Sequence, residues 1–364
     1  MFWVIILASV IAVCGAGIVY MTIAVGRFSL IRNIENKKIR ILVSLGCITA
    51  VFVILTVLLS LVNTIIIFLH VICFFLIFGG IFRAVSAFTH KNFKINWQGW
   101  SALLCTAVYL SAGAYFCFNV QQTEYKLTTD KSVGNIRIAM FGDSHIGATF
   151  DGDGFAEQIE TIMKQQPDIL LICGDFVDDS SKRGDMTRAC EALGTVDVKY
   201  GVWYVYGNHD KGYFKGRDFS ADDLEYELEK NGVHVLKDEK AYIGDICIAG
   251  RRDASMKERL DISALLDGAD TNKYIIVMDH QPNDYQNESE TAADLVVSGH
   301  THGGQLFPVN RAGEWFGLND RTYGYEHRNN TDFIVTSGIS DWEMYFKTGT
   351  RSEYVIIDVE GKKK

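Results

Sequence analysis

Five short runs in the last two-thirds of the 364-residue chain carry side chains able to donate to a metal ion. They are Gly142-Asp143-Ser144-His145, Gly174-Asp175-Phe176-Val177-Asp178, Gly207-Asn208-His209-Asp210, Asp279-His280-Gln281-Pro282 and Gly299-His300-Thr301-His302-Gly303-Gly304-Gln305. Carboxylate, amide and imidazole donors together suit divalent cations and metal-assisted hydrolysis. Asp143 and His145 are two residues apart, as are His300 and His302. In extended chain, residues i and i+2 point the same way, so each pair can face one pocket. A lone Asp-x-His or His-x-His reads equally well as a surface pair. Gly-Asn-His-Asp after an apolar strand is a sharper signal, because the neutral Asn oxygen limits the negative charge of a crowded site. Four of the five runs place a glycine directly before the first donor. Without a Cβ the backbone can turn sharply and approach such a cluster.

The elements that must position these donors are legible as apolar runs. Strands are expected at 136–141, 169–173, 200–206, 233–236, 246–249, 274–278, 295–297, 333–336 and 354–359. Most donor runs directly follow such a segment, which puts them at the carboxyl ends of buried strands, where open α/β sheets build their sites. Helical spacing covers 154–166, stopped by Pro167, and a second helix is expected near 186–193. Ser220 can cap a third helix ending at Asn231-Gly232, with Asp222, Asp223 and Glu225 favouring its positive end. Alternating strands and helices followed by a strand-rich end predict sheets covered by helices.

The chain's net charge of −9 hides a division. Residues 1–120 hold eight Lys/Arg and one acid, Glu35, for +7, which leaves −16 on the remainder. Residues 2–25 are uncharged and long enough to cross a hydrocarbon core of about 30 Å. With no basic leader, a cleaved signal peptide is the weaker reading. The charge-free run 41–82 would be about 63 Å long as one helix, so it is expected to turn back near Ser60–Asn63. A last span is expected at 100–120, giving four helices, with three as the alternative. The basic loops carry Arg27, Arg32, Lys37, Lys38 and Arg40, then Arg83, Lys91 and Lys94. By the positive-inside rule both are cytoplasmic, which puts residues from 121 onward outside. The spans contain no Asp, Glu, Lys or Arg, which argues against a pump. Asn63 is expected in the turn and His70 bonded to a neighbouring helix. No basic stripe exists to neutralise phosphates, so no nucleic-acid partner is expected. Cys173, Cys190 and Cys247 show no paired spacing and read as buried thiols.

Taken in order, the five runs resemble those of the calcineurin-like metallophosphoesterase family, especially its membrane-associated bacterial branch, where the final run is typically Gly-His-Thr-His-Gly-Gly-Gln. The resemblance covers 136–359. It implies a four-layer α/β/β/α sandwich, here preceded by an all-α transmembrane bundle. The domains are then 1–120 for the spans, 121–134 for a linker and 135–364 for the phosphoesterase. Carried over by position, Asp143, His145 and His302 hold a first metal. Asn208, His280 and His300 hold a second, and Asp175 bridges both. His209 matches the catalytic histidine and Asp210 would orient it. The cofactors implied are two divalent ions (manganese, iron or zinc) about 3.5–4 Å apart that share a hydroxide and clamp phosphoryl oxygens.

Two departures bear on substrate. Protein phosphatases of this superfamily carry Arg-Gly after the second run, whereas Asp178 is followed here by Asp179 and Ser180. Gly250-Arg251-Arg252-Asp253 stands where relatives often carry an acidic pair. Arg251 or Arg252 is therefore expected to contact a substrate phosphate, with a surface salt bridge as the alternative. The leading expectation is a multi-pass membrane phosphodiesterase or pyrophosphohydrolase, with its catalytic half outside the cytoplasm and a phospholipid or envelope compound as substrate. The alternatives are a sensor or scaffold that binds metal without turnover, and a transporter with a regulatory domain.

Overall fold

A long charge-free apolar segment has one economical structure in hydrocarbon, the helix, which satisfies every backbone group internally. In the computed structural model, which describes residues 15–90, 93, 95–213 and 216–362, the chain forms two units, Met1–Ala112 and Gly113–Lys364. The first holds α1 (Gly15–Val25), α2 (Ser29–Arg32), α3 (Lys37–Leu58), α4 (Leu61–Thr89) and most of α5 (Trp97–Phe118). Among the described residues, α3, α4 and α5 are long and apolar enough to cross a membrane. The first predicted span falls largely on 1–14, outside the described residues, as do Lys91 and Lys94 of the second basic loop. The predicted turn is present: Ser60 Oγ caps α4, accepting from the Asn63 backbone N–H at 3.2 Å and its Nδ2 at 2.9 Å. His70 departs from expectation. Its Nδ1 pairs with Ile66 O of its own helix at 2.8 Å, while the ring lies 5.6 Å from that of Tyr109. Phe75 is buried among Met21, Ala24, Ile48 and Ala102, whereas Val57, Leu58 and Leu104 face outward, a surface suited to hydrocarbon rather than water.

The second unit alternates strands and helices. In order it has β1 (Gln121–Thr128), β2 (Asn135–Phe141), α6 (Gly152–Met163), β3 (Ile169–Cys173), α7 (Arg183–Gly194), β4 (Val202–Val205), α8 (Ala221–Lys230) and β5 (Val233–Leu236). The second half runs β6 (Glu239–Ile243), β7 (Ile246–Gly250), α9 (Ile262–Leu265), β8 (Tyr274–Met278), α10 (Tyr285–Glu288) and β9 (Leu295–Ser298). It closes with a 3-10 turn (His302–Gly304), α11 (Ala312–Trp315), β10 (Gly324–Arg328), β11 (Thr331–Val335) and β12 (Glu353–Glu360). The strands make two six-stranded sheets, ordered β1-β12-β2-β3-β4-β5 and β10-β11-β9-β8-β7-β6.

Period-two alternation sets the layers. Ile138, Met140, Leu171 and Cys173 of one sheet meet Ile246, Ile248, Ile276 and Met278 of the other. The intervening Ala139, Phe141, Leu170 and Ile172 turn outward under α6, α7 and α8. Cys247, Ala249, Ile275 and Val277 turn outward with Ile262 of α9 and Tyr285 of α10. The result is the expected α/β/β/α sandwich. The capped third helix is also present, with a reciprocal Ser220–Asp223 capping box. Three strands escaped the sequence reading: β1, β6 and β10. Each is an edge strand, half-exposed and polar. The linker expected at 121–134 is thus corrected over its first eight residues, which pair in parallel with β12 and bury Leu127.

Candidate metal centre

The five donor runs leave the carboxyl ends of β2, β3, β4, β8 and β9. Parallel pairing of β2 with β3 and β3 with β4 brings the first three loops side by side. Pairing of β8 with β9 does the same in the other sheet. The loops then bond to one another: Asp143 N–H donates to Gly174 O (2.9 Å) and His145 N–H to Asp175 O (3.1 Å). His300 N–H donates to the Asp143 carboxylate at 2.9 Å, and His209 N–H to Asp175 Oδ1 at 2.8 Å. The backbone itself marks the site. Asp143, His145, Asp175, His300 and His302 all have positive φ, a conformation uncommon outside glycine that clusters at functional sites. Gly207 permits a close approach, since a Cβ there would collide with Asp175 Oδ1.

The side chains converge into two groups. Asp143, His145 and His302 bring one donor atom each within 4.8 Å of one another, and so do Asp175, His280 and His300. Asn208 joins the second group, its Oδ1 3.2 Å from His280 Nε2, while its Nδ2 donates to Tyr213 Oη at 2.9 Å. His280 Nδ1 pairs with Cys173 O at 2.7 Å, which leaves Nε2 as the ring's donor atom. Asp175 Oδ2 lies 3.1 Å from His280 Nε2 and 3.9 Å from His145 Nε2, so it faces both groups.

These residues fit a divalent ion. His145 Nε2 is buried with no hydrogen-bond partner among the described residues, a costly state unless something else takes the lone pair. Burial and the neighbouring His280 hold His300 down at about 4, and burial with His145 and Lys347 keeps His302 well below the ordinary range. Both rings are therefore in the neutral form that coordinates metals. Burial, reinforced by Asp175, raises Asp143 to about 6. Burial also opposes ionisation of Asp175, but His280, His145 and His209 outweigh it and hold that carboxyl well below its usual range.

Two carboxylates without an assigned role stand behind the imidazoles. Asp178 Oδ2 is 3.5 Å from His145 Nδ1, and Asp341 Oδ1 is 3.8 Å from His302 Nδ1, on the side of each ring away from its candidate donor atom. Lys347 is wholly buried and donates to Ser337 O (2.7 Å) and Ser340 O (3.0 Å), securing the Asp341 loop. Nothing local in the sequence singles out Asp341 or Lys347, because each is defined by a partner distant along the chain.

Two sequence assignments change, those of Asp210 and Arg251, and Arg252 takes the alternative stated for it. Asp210 does not orient the His209 ring. Its carboxylate accepts backbone N–H groups of Gly207 (2.7 Å), Asp175 (2.8 Å) and Val177 (3.0 Å), pinning two donor loops together. The His209 ring instead packs edge-on to His145 at 5.0 Å, between Tyr213 and Trp342. Arg251 is not available to substrate: its buried Nη1 lies 2.9 Å from Asp279, 2.8 Å from Asp284 and 3.0 Å from Glu288. Arg252 is a surface ion pair, 3.6 Å from Asp238 and 3.7 Å from Glu258. Replacing Arg251 with Met strands buried carboxylates and is expected to cost about 3–5 kcal/mol, measured as a lowered melting midpoint of the purified protein.

Residues 136–304 match the family profile of calcineurin-like phosphoesterases. The chain is 29% identical over 238 residues to an uncharacterised metallophosphoesterase of Campylobacter jejuni, 63% of this chain and 60% of that protein. A Danio rerio protein named transmembrane protein with metallophosphoesterase domain is 28% identical over 242 residues, 61% of this chain and 53% of its own length. The chain thus spans between half and two-thirds of the length of these two relatives. An uncharacterised metallophosphoesterase of Aquifex aeolicus is 32% identical over 194 residues, 51% of this chain and 71% of that protein. The Aquifex relative, matched over 71% of its length, together with a family profile that runs through the strands carrying the donor groups, means that the chain belongs to the calcineurin-like metallophosphoesterases.

Proposed function

We propose that the protein is a membrane-anchored two-metal phosphoesterase that hydrolyses a phosphodiester or pyrophosphate bond. One observation carries the reading: a single oxygen, Asp175 Oδ2, faces both donor groups, 3.1 Å from His280 Nε2 and 3.9 Å from His145 Nε2. Asp143, His145 and His302 would hold one divalent ion, Asn208, His280 and His300 the other, and Asp175 would be shared. Mixed oxygen and nitrogen donors suit manganese, iron or zinc better than calcium. Such ions supply Lewis-acid charge to phosphoryl oxygens and acidify water.

The chain's own residues position the reactants. His280 is oriented by Cys173 O, and the Asp210 carboxylate clamps the loops bearing Asp175 and Asn208. His209 is half-buried beside the ligands, and burial favours its neutral ring. A neutral imidazole still donates one N–H, which would stabilise charge developing on the leaving oxygen. Asp179 and Ser180 in place of Arg-Gly argue against a phosphoprotein substrate, and the membrane helices support a phospholipid or another envelope phosphodiester. The basic loops support an extracytoplasmic catalytic unit, given four crossings.

The test is turnover by the purified full-length protein on soluble diesters, pyrophosphates and monoesters. Manganese-dependent diester cleavage is expected, lost on chelation and restored on re-addition. Preference for monoesters at equal metal loading would overturn the diester assignment. A reporter fused to the C-terminus should be active only outside the cytoplasm; activity inside would reverse the topology.

A further inference from the structure

Between the ligand turn His302–Gly304 and β10, the chain throws out a segment whose large apolar side chains point into solvent. Phe316 is 74% exposed, Leu318 69%, Trp315 65% and Phe307 59%, with Val309 beside them. Removing large aromatic and aliphatic groups from water is favourable, so a segment that holds this many of them in solvent marks a contact surface.

The second unit itself indicates what covers that surface. Its first residues, Gly113–Phe118, are the final turns of α5, a helix long and apolar enough to cross a membrane. Only Asn119 and Val120 separate α5 from β1. Segment 344–352 is bonded to these turns: Lys347 N–H to Gly113 O (2.9 Å), Ser352 N–H to Phe116 O (2.8 Å) and Ser352 Oγ to Cys117 O (2.7 Å). The Tyr345 ring lies 5.7 Å from that of Phe118. Gly113 is about 7.5 Å along the helix axis from Phe118, roughly the depth of one headgroup layer.

The root of the apolar segment is bonded to this same strap, segment 344–352. Thr348 and Gly349 N–H groups both donate to Gln305 O at 2.9 Å, and Phe307 N–H donates to Thr348 Oγ1 at 3.1 Å. A Cβ on Gly304 would collide with Asn310 O, so the segment folds back directly over the ligand turn. Its far end returns to the site as well, where Thr301 Oγ1 donates to Thr322 O at 2.6 Å. Hydrogen bonds and a few residues of backbone therefore join the end of α5, the apolar segment and the turn bearing His302, whose O accepts from the Gln305 N–H at 3.2 Å.

We propose that residues 306–318 are an interfacial wedge that enters the bilayer surface, with Trp315 and Phe316 at the headgroup boundary where aromatic rings partition best. The wedge holds the donor groups at the level of lipid phosphates. Insertion stands on the geometry alone; its consequence, that the substrate phosphoester is delivered from the bilayer, rests on the phosphodiesterase reading.

The test uses full-length protein reconstituted in phosphatidylcholine vesicles with brominated acyl chains. Subtracting the emission of Trp315→Phe from that of wild type isolates Trp315. That emission should be quenched by bromolipid and shielded from aqueous iodide. Quenching by iodide without bromolipid quenching overturns the proposal. Shielding from both overturns it too, because a second copy or another protein then covers the segment. A Phe316→Ser/Leu318→Ser variant with an unchanged melting midpoint should lose much of the bromolipid quenching. Its ratio of vesicle-borne to soluble phosphodiester turnover should drop about tenfold. If wild type cleaves no phosphodiester at all, the catalytic reading fails, while quenching of Trp315 still decides insertion.

Discussion

Asp175→Asn is expected to lower kcat/KM on a soluble phosphodiester by about 10³-fold, the effect of losing several kcal/mol of charge stabilisation. The substitution preserves shape and can keep one acceptor for the His209 backbone N–H, now 2.8 Å from Asp175 Oδ1. It removes the anionic oxygen that lies between His145 and His280. Metal content measured on the same sample should fall from two ions per chain toward one, with little change in far-ultraviolet circular dichroism. A variant that retained both ions and its rate would overturn the shared-carboxylate arrangement.

His209→Ala is expected to leave metal content at wild-type level and to reduce kcat by about 10²–10³-fold, the range for one lost donor to developing charge. The distinguishing readout is the leaving group. The deficit should be largest for alkoxide leaving groups and should shrink for nitrophenolate, which needs little stabilisation. An equal loss on both would assign His209 to packing between His145, Tyr213 and Trp342 and remove it from the reaction. These variants separate metal retention from leaving-group stabilisation, because one changes metal content and the other does not.

The donor runs were readable because each is a local pattern: an apolar strand with polar residues at its carboxyl end, introduced by a glycine in four of the five. Strands buried on both sides, such as β3 and β8, announce themselves through uninterrupted apolar runs centred on Ile, Leu and Val. Edge strands β1, β6 and β10 face water on part of their surface and carry polar residues there, so composition does not distinguish them from loops. The two arginines illustrate a different limit. A sequence shows that Arg251 is cationic beside a donor-rich half, but only packing shows that Asp279, Asp284 and Glu288 already surround it. Asp210 likewise sits next to His209 in the chain yet spends its oxygens on the backbone of neighbouring loops.

By itself the amino-acid sequence determined the donor chemistry, the alternation of strands and helices and the apolar character of the first third, since each depends on residues within a few positions of one another. Tertiary structure alone decided which donors share a pocket, which carboxylates stand behind the imidazoles and that the apolar segment 306–318 is bonded to the strap beneath the end of α5. Those arrangements depend on contacts between residues dozens to hundreds of positions apart, and only sheet pairing and side-chain packing bring such residues together.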